Sequence, residues 1–329
     1  MRYAIAAAVL FFPAQSFQSF HAQGELYIQR HNLKAAIPYL EKARRIDPDN
    51  YDNSYDLALA YLQTGAASKS REVVTGLLAR NDRAELHNLL GDVDAAENRI
   101  DEAARQYETA ARMDPSEKNL FDLGSFLMLH RGFEPALKVF EFAVQRYPKS
   151  AQLRVGMGIA QYSSGEYDAA VESLCHAVDL DPKDMRALDF LGKVYDVSPR
   201  FADEVTTRLA RFASLYPDDA SVNYYYALSL RKRALSGASA STDGKAEALL
   251  HKAIKLNPNL AEAHLELGLL YEDQKQDAKA ISEYRAATKL RANLSNAHYR
   301  LSRLYQRNGQ PALAKKELHA FEALQAKTP

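Results

Sequence analysis

The sequence predicts an all-α fold, an array of about nine stacked helix-turn-helix units, and three observations predict it. One stretch, Ala261 to Leu294, recurs with small changes from Phe17 onward, and its copies follow each other at 33 or 34 residues except at two places. Within it, His264, Leu267, Gly268 and Tyr271 share one helical face, and Ala280, Tyr284 and Ala287 share another, so each copy holds two short amphipathic helices. Most copies then turn at a proline (Pro48, Pro115, Pro148, Pro182, Pro217, Pro258), with Asp82 and Ala292 as the exceptions; proline just past a helix stops it. A pair this short cannot bury its stripe alone, so each copy needs neighbours.

Taken in order, residues 1–16 read as a secretory signal. Arg2 is followed by a mostly apolar run from Tyr3 to Phe12, then Pro13 and the small-residue pattern Ala14-Gln15-Ser16, with cleavage expected after Ser16. The run is shorter than the roughly 20 residues of a membrane span, and no cysteine stands near it to carry a lipid. The expected location is therefore the periplasm or cell envelope. The competing reading is an extra packing helix, which would leave the protein cytoplasmic.

The copies fall near residues 17–50, 51–83, 84–116, 117–150, 151–184, 185–219, 220–260, 261–294 and 295–329. One small residue recurs in each first helix, at Gly24, Ala58, Gly91, Gly124, Gly158, Gly192, Ala227, Gly268 and Ser302. The matching point of the second helix is Ala36, Ser70, Ala103, Ala136, Ala170, Val205, Ala246, Ala280 and Ala314. Bulk is excluded there because two helices cross closely. The sixth copy has an extra residue near Val197-Ser198-Pro199, and the seventh carries Leu235 to Gly244, LSGASASTDG, which reads as an exposed loop.

Composition removes several function classes. The 42 basic and 42 acidic residues cancel, so no net field draws the chain to nucleic acid or an anionic membrane. Cys175 is the single cysteine, which excludes an intramolecular disulfide and a CxxC motif. Gly156-Met157-Gly158 begins like a dinucleotide loop but lacks the third glycine and lies inside a helix. No GxxxxGK, HExxH or GxSxG string occurs. His87, His264 and His298 share one position of three copies and read as residues between stacked copies rather than metal ligands. The acids of Asp47, Asp49, Asp179 and Asp181 sit at helix ends, where capping accounts for them. No catalytic set, cofactor or metal is expected.

The pattern resembles the tetratricopeptide repeat family. The match is carried by Leu191, Gly192 and Tyr195; by Leu123, Gly124, Ala136, Phe140, Ala143 and Pro148; and by Leu267, Gly268, Tyr271, Ala280, Tyr284 and Ala287. No copy has the family tryptophan, Asp94 stands where Tyr is usual and Gln23 where Leu is usual, so the third and first copies are expected to be locally weaker. The resemblance implies a right-handed α-solenoid whose first helices line a concave groove, with a protein or peptide partner in it. The residues it turns to that groove, the fifth of each first helix, include Tyr55, Phe121, Tyr224 and Tyr299, with Tyr162 a turn further along its helix. Rings of this kind give a peptide large contact area at low entropic cost; they could equally pack on adjacent helices. Arg300, Arg303 and Arg307 fall beside Tyr299, facing Glu262, Glu272 and Asp273 of the preceding copy, and could hold a partner's carboxylate or phosphate. The Lys and Asn with which family members clamp a C-terminal carboxylate are absent. The expectation is a non-enzymatic, exported interaction scaffold. The alternative is an accessory subunit that presents a substrate to a separate envelope enzyme or assembly complex.

Overall fold

The computed structural model describes residues 16–194, 199–235 and 241–326, and among these every regular element is a helix. The chain divides into two compact units, with the boundary after Pro148. The first unit holds four antiparallel pairs: α1 (Phe17–Gln29) with α2 (Leu33–Ile46), α3 (Tyr51–Gln63) with α4 (Ala67–Leu78), α5 (Ala84–Ala96) with α6 (Ile100–Met113), and α7 (Glu117–Leu129) with α8 (Phe133–Arg146). The second begins with α9 (Ala151–Ser163) and α10 (Tyr167–Leu180), then α11 (Met185–Val194), a 3-10 turn at Pro199–Phe201 and α12 (Ala202–Leu215). It continues through α13 (Ala220–Leu235) and α14 (Ser241–Leu256), α15 (Ala261–Asp273) and α16 (Asp277–Leu290), and α17 (Ser295–Arg307) and α18 (Pro311–Gln325).

Each unit has its own core. Leu40, Leu57, Leu86 and Leu89 anchor one, and Leu174, Leu188, Leu209, Phe212 and Tyr284 anchor the other. The small residues stand where a bulky side chain of the second helix, sixteen positions on, lies flat across the first. A Cβ on Gly124 would come within 2.6 Å of the Phe140 ring, and one on Gly268 within 2.6 Å of Tyr284; no methyl fits there. The alanine row is fully buried from Ala36 to Ala280. Ser70 is tolerated in it because its hydroxyl donates to the Ala58 carbonyl at 2.7 Å. Gly192 is different: the ring across it is Tyr225, from α13 of the next pair.

Seven turns inside the pairs, all within the described residues, share one chemistry. The residue after the first-helix cap takes a left-handed φ, and the next amide donates back to the carbonyl five residues earlier, as from Ala66 to Tyr61 and from Gln276 to Tyr271, both at 2.8 Å. Gly65, Gly165 and Gly309 adopt that φ freely, whereas His31, Asn98, Arg131 and Lys275 adopt it at φ between 55° and 61°. Arg131 and Lys275 are exposed, so their side chains return little. Arg131→Gly and Lys275→Gly should each stabilise their unit by about 0.5–1 kcal/mol, read as a rise in Tm. A fall would show that the side chains, not the backbone, set these turns.

Two expectations need correction or fall outside the described residues. Leu235 to Gly244 is not loop at its two ends, because Leu235 ends α13 and Ser241 to Gly244 form the first turn of α14, while residues 236–240 lie outside the described residues. Asp243 in that turn faces the positive end of the helix dipole, which favours helix where the Ser and Gly content suggested loop. The candidate signal up to Gln15 lies outside the described residues. Ser16 caps α1, its hydroxyl accepting from the Ser19 amide at 3.1 Å.

Candidate functional site

The fifth residues of the first helices do not form one uniform stripe. In the first unit they knit neighbouring copies together. His21 Nδ1 lies 3.2 Å from Asn53 Oδ1, whose amide in turn donates to the Leu40 carbonyl. Asn88 donates to Asp122 at 2.9 Å while accepting from Lys118 at 2.6 Å. Tyr55 is half-buried and stacks on Tyr51, whose hydroxyl donates to Glu85 of the next copy at 2.5 Å. Phe121 sets its ring edge-on to Phe140, so part of it is core.

In the second unit the same row is mixed. Val155 is buried and Asp189 accepts from the Tyr225 hydroxyl. Tyr224 packs against the core, with the Tyr225 ring 5.1 Å away; burial and the nearby Glu266 and Glu262 hold its hydroxyl far above the ordinary phenol range. Tyr162 and Tyr299 each keep 37% of their surface exposed, beside Tyr167 and Phe321 respectively.

The three arginines of the last copy do not converge. Arg307 makes a bidentate pair with Asp277 at 2.8 and 2.5 Å, and Arg300 lies 3.5 Å from Glu272. Arg303 lies over the Tyr299 ring and reaches its hydroxyl at 3.4 Å; among the described residues it has no carboxylate partner. Exposed pairs of this kind add little stability.

Sequence reasoning missed two charged features. One is a row of carboxylates on the first unit, where burial, then Coulomb repulsion, acts. Asp56 is pushed up by burial, with Glu25 and Asp52 adding to it, while His21 opposes. Asp92 accepts from the Tyr107 hydroxyl at 2.6 Å, yet burial and then Asp122 push its carboxyl above the ordinary range despite Tyr107 and Lys118. A raised folded value means that its favourable contribution is present at low pH and lost as pH rises through that value. Asp92→Asn, which keeps the acceptor and removes the charge, should therefore melt higher than wild type at pH 7. That gap should close as the pH falls toward 3.8; a constant gap would disprove the burial cost. The other feature is Arg231, only 9% exposed, which pairs with Glu266 and, at 3.2 Å, with Asp273 of the next copy. In sequence Arg231 only opens the basic run Arg231-Lys232-Arg233 near the end of α13, which gives no sign that its first member is buried.

Two of the three histidines bridge to the preceding copy as expected, His87 Nε2 lying 2.7 Å from Asp82 and His298 Nε2 3.1 Å from the Ala292 carbonyl, and all three also close their own copy. His264 Nδ1 lies 2.7 Å from Glu283 and His298 Nδ1 lies 2.6 Å from Glu317, each on the second helix of its own copy, and His87 meets Gln106 likewise at 2.7 Å. Nineteen residues along a helix-turn-helix bring the chain back beside itself. Asp47 and Asp181 accept from the amides of Asp49 and Lys183, which closes the turns after α2 and α10. Cys175 is fully buried, and burial pushes its thiol up to about 12, which leaves it unreactive. Among the described residues no cluster of three metal-ligating side chains occurs, and no helix is long and apolar enough to cross a membrane.

Two family profiles, both described as tetratricopeptide repeat, match the chain: one over residues 27–93, the other over 121–185 and 244–295, together more than half of it. A TPR repeat-containing protein of Treponema pallidum (strain Nichols) is 27% identical over 212 residues, 63% of this chain but only 24% of that protein's length. Among solved structures, the C-terminal part of a TPR repeat-containing protein from Cytophaga hutchinsonii aligns with a TM-score of 0.55 at 14% identity, covering 86% of this chain and 99% of that one. A tetratricopeptide repeat protein from Parabacteroides merdae aligns with a TM-score of 0.50 at 15% identity, covering 78% and 99%. At these identities the structural likeness concerns the fold.

Proposed function

Because the chain belongs to the tetratricopeptide-repeat family, whose members are generally non-catalytic scaffolds, we propose that it binds an extended peptide or partner protein along the first-helix face. The observation that carries this reading is that each unit leaves rings part-exposed on its first helices, Tyr55 in the first unit and Tyr162 and Tyr299 in the second, with Arg303 unpaired by carboxylate beside Tyr299. Aromatic surface held on a rigid frame gives contact without a large ordering cost. Tyr224 and Phe121 support that frame through the core.

The test compares proteins co-purified with wild type and with a Tyr55→Ala, Tyr162→Ala, Tyr299→Ala, Arg303→Ala variant whose Tm is unchanged. A partner recovered by wild type and lost from the variant supports the face. Equal recovery of every partner by both removes it. The proposal places this scaffold in the cell envelope, on the strength of residues 1–16. Since Ser16 caps α1, a mature chain starting at Phe17 would lose about 1 kcal/mol of cap. Intact-mass measurement of the native protein decides the point, and a retained Met1 would end the export reading.

A further inference from the structure

At three junctions between copies, the residue three positions after the small residue of a first helix meets a complementary partner from the preceding second helix. The Tyr61 hydroxyl donates to Glu41 at 2.5 Å, Arg71 donates to Asp94 at 2.8 Å, and the Tyr271 hydroxyl donates to Glu247 at 2.9 Å. Tyr305 holds this position in α17 and is buried like its counterparts. The helix before it, α16, supplies Ile281 and Arg285 where the earlier junctions have Glu247 and Glu41. The Tyr305 hydroxyl therefore has a cation beside it where Tyr61 and Tyr271 have a carboxylate. Among the described residues the Tyr305 hydroxyl has no hydrogen-bond partner and Arg285 no ion pair.

Tyr305 and Arg285 line a cavity of about 630 Å³ between α16, α17 and α18. Lys289 of α16 and Lys316 of α18 join Arg285 around it, and neither lysine has an ion pair among the described residues. The carboxylate on its wall, Glu317, is already engaged by His298 at 2.6 Å. Leu313, 43% exposed, adds an apolar wall. The volume is that of a small-ligand site. Tyr305 lies well round the α17 helix from Tyr299 and Arg303, so this cavity is not the face proposed above.

We propose that the cavity binds an acidic peptide segment of a partner protein, with a carboxylate accepting from the Tyr305 hydroxyl and Arg285, and with Lys289 and Lys316 holding neighbouring acids. An acceptor at Tyr305 restores the pairing that Glu41, Asp94 and Glu247 provide elsewhere. Charge-assisted bonds of this kind are the strong ones. The apolar wall at Leu313 favours a peptide in which acidic and apolar residues alternate over a bare anion.

The experiment measures fluorescence anisotropy of a labelled peptide of alternating Glu and Leu on the full-length protein at low salt, beside the same peptide with Gln for Glu. The expected result is binding of the Glu peptide at least about tenfold tighter than the Gln peptide. Arg285→Gln, Lys289→Gln, Lys316→Gln, all on exposed side chains, should abolish that preference without changing Tm. Tyr305→Phe should weaken the Glu peptide several-fold, whereas the Tyr55, Tyr162, Tyr299, Arg303 variant should bind it as wild type does, which separates this site from the first-helix face. Equal binding of the two peptides, or an unchanged preference in the triple variant, would overturn the proposal. Inorganic phosphate binding as tightly as the peptide would also overturn it, in favour of a bare-anion site.

Discussion

Gly124→Leu is expected to cost about 3 kcal/mol, the upper end for overpacking a helix crossing, because even its Cβ would stand 2.6 Å from the Phe140 ring. Phe140→Ala, which empties a site only 1% exposed, should cost about 3–5 kcal/mol. The two together should cost at least about 1 kcal/mol less than their sum, since the leucine enters the space the ring vacates. Urea unfolding of the full chain, followed by circular dichroism, reads all three. Strict additivity would mean that Gly124 is small for some reason other than the ring. Because each copy leans on its neighbours, the loss should spread to α5 and α6 and should not be confined to its own pair.

Arg71 carries the second large effect. Its guanidinium donates to Asp94 at 2.8 Å and to Glu97 at 3.0 and 2.7 Å, and Arg99 reaches the same carboxylates at 3.0 and 3.3 Å. The Asp94 side chain is only 3% exposed. Removing one partner of a buried pair strands the other, at a cost of about 3–5 kcal/mol. Arg71→Ala should fall at about 3 kcal/mol because Arg99 remains on Asp94. The corresponding pair in α15 and α14 is Tyr271 with Glu247 at 2.9 Å. Arg71→Glu with Asp94→Tyr should thus recover much of what Arg71→Glu alone loses, and thermal denaturation of the two will show whether it does. No recovery would mean that the positions are not equivalent.

That pair also marks where sequence reading stopped. The helix pairs were legible because their determinants are periodic and local: a glycine, alanine or serine recurring at 33 or 34 residues except at two places, and a stripe on each helix. Asp94 was read against the family's tyrosine as a weak point, and the structure gives it two arginines. One of them lies 23 positions back in another copy, a separation no periodic pattern advertises. The same limit applies to His264 and His298, whose glutamates are nineteen positions on, and to Arg307, whose Asp277 is thirty back. The aromatic row was visible as spacing. Which rings stayed outside the core depended on what their neighbours buried, as Tyr224 and Tyr299 show.

The ring of Tyr225 across Gly192 makes the order of unravelling under load uneven. Where a crossing is closed within its own pair, as by Tyr284 over Gly268, pulling from the C-terminal end can peel copies off singly. Once α13 is drawn out, Gly192 of α11 loses its cover at the same moment, and the Tyr225 hydroxyl leaves Asp189. The sixth and seventh copies should therefore let go as one, so that a single-molecule extension trace of this chain shows one step of about twice the ordinary length after the last two copies have released.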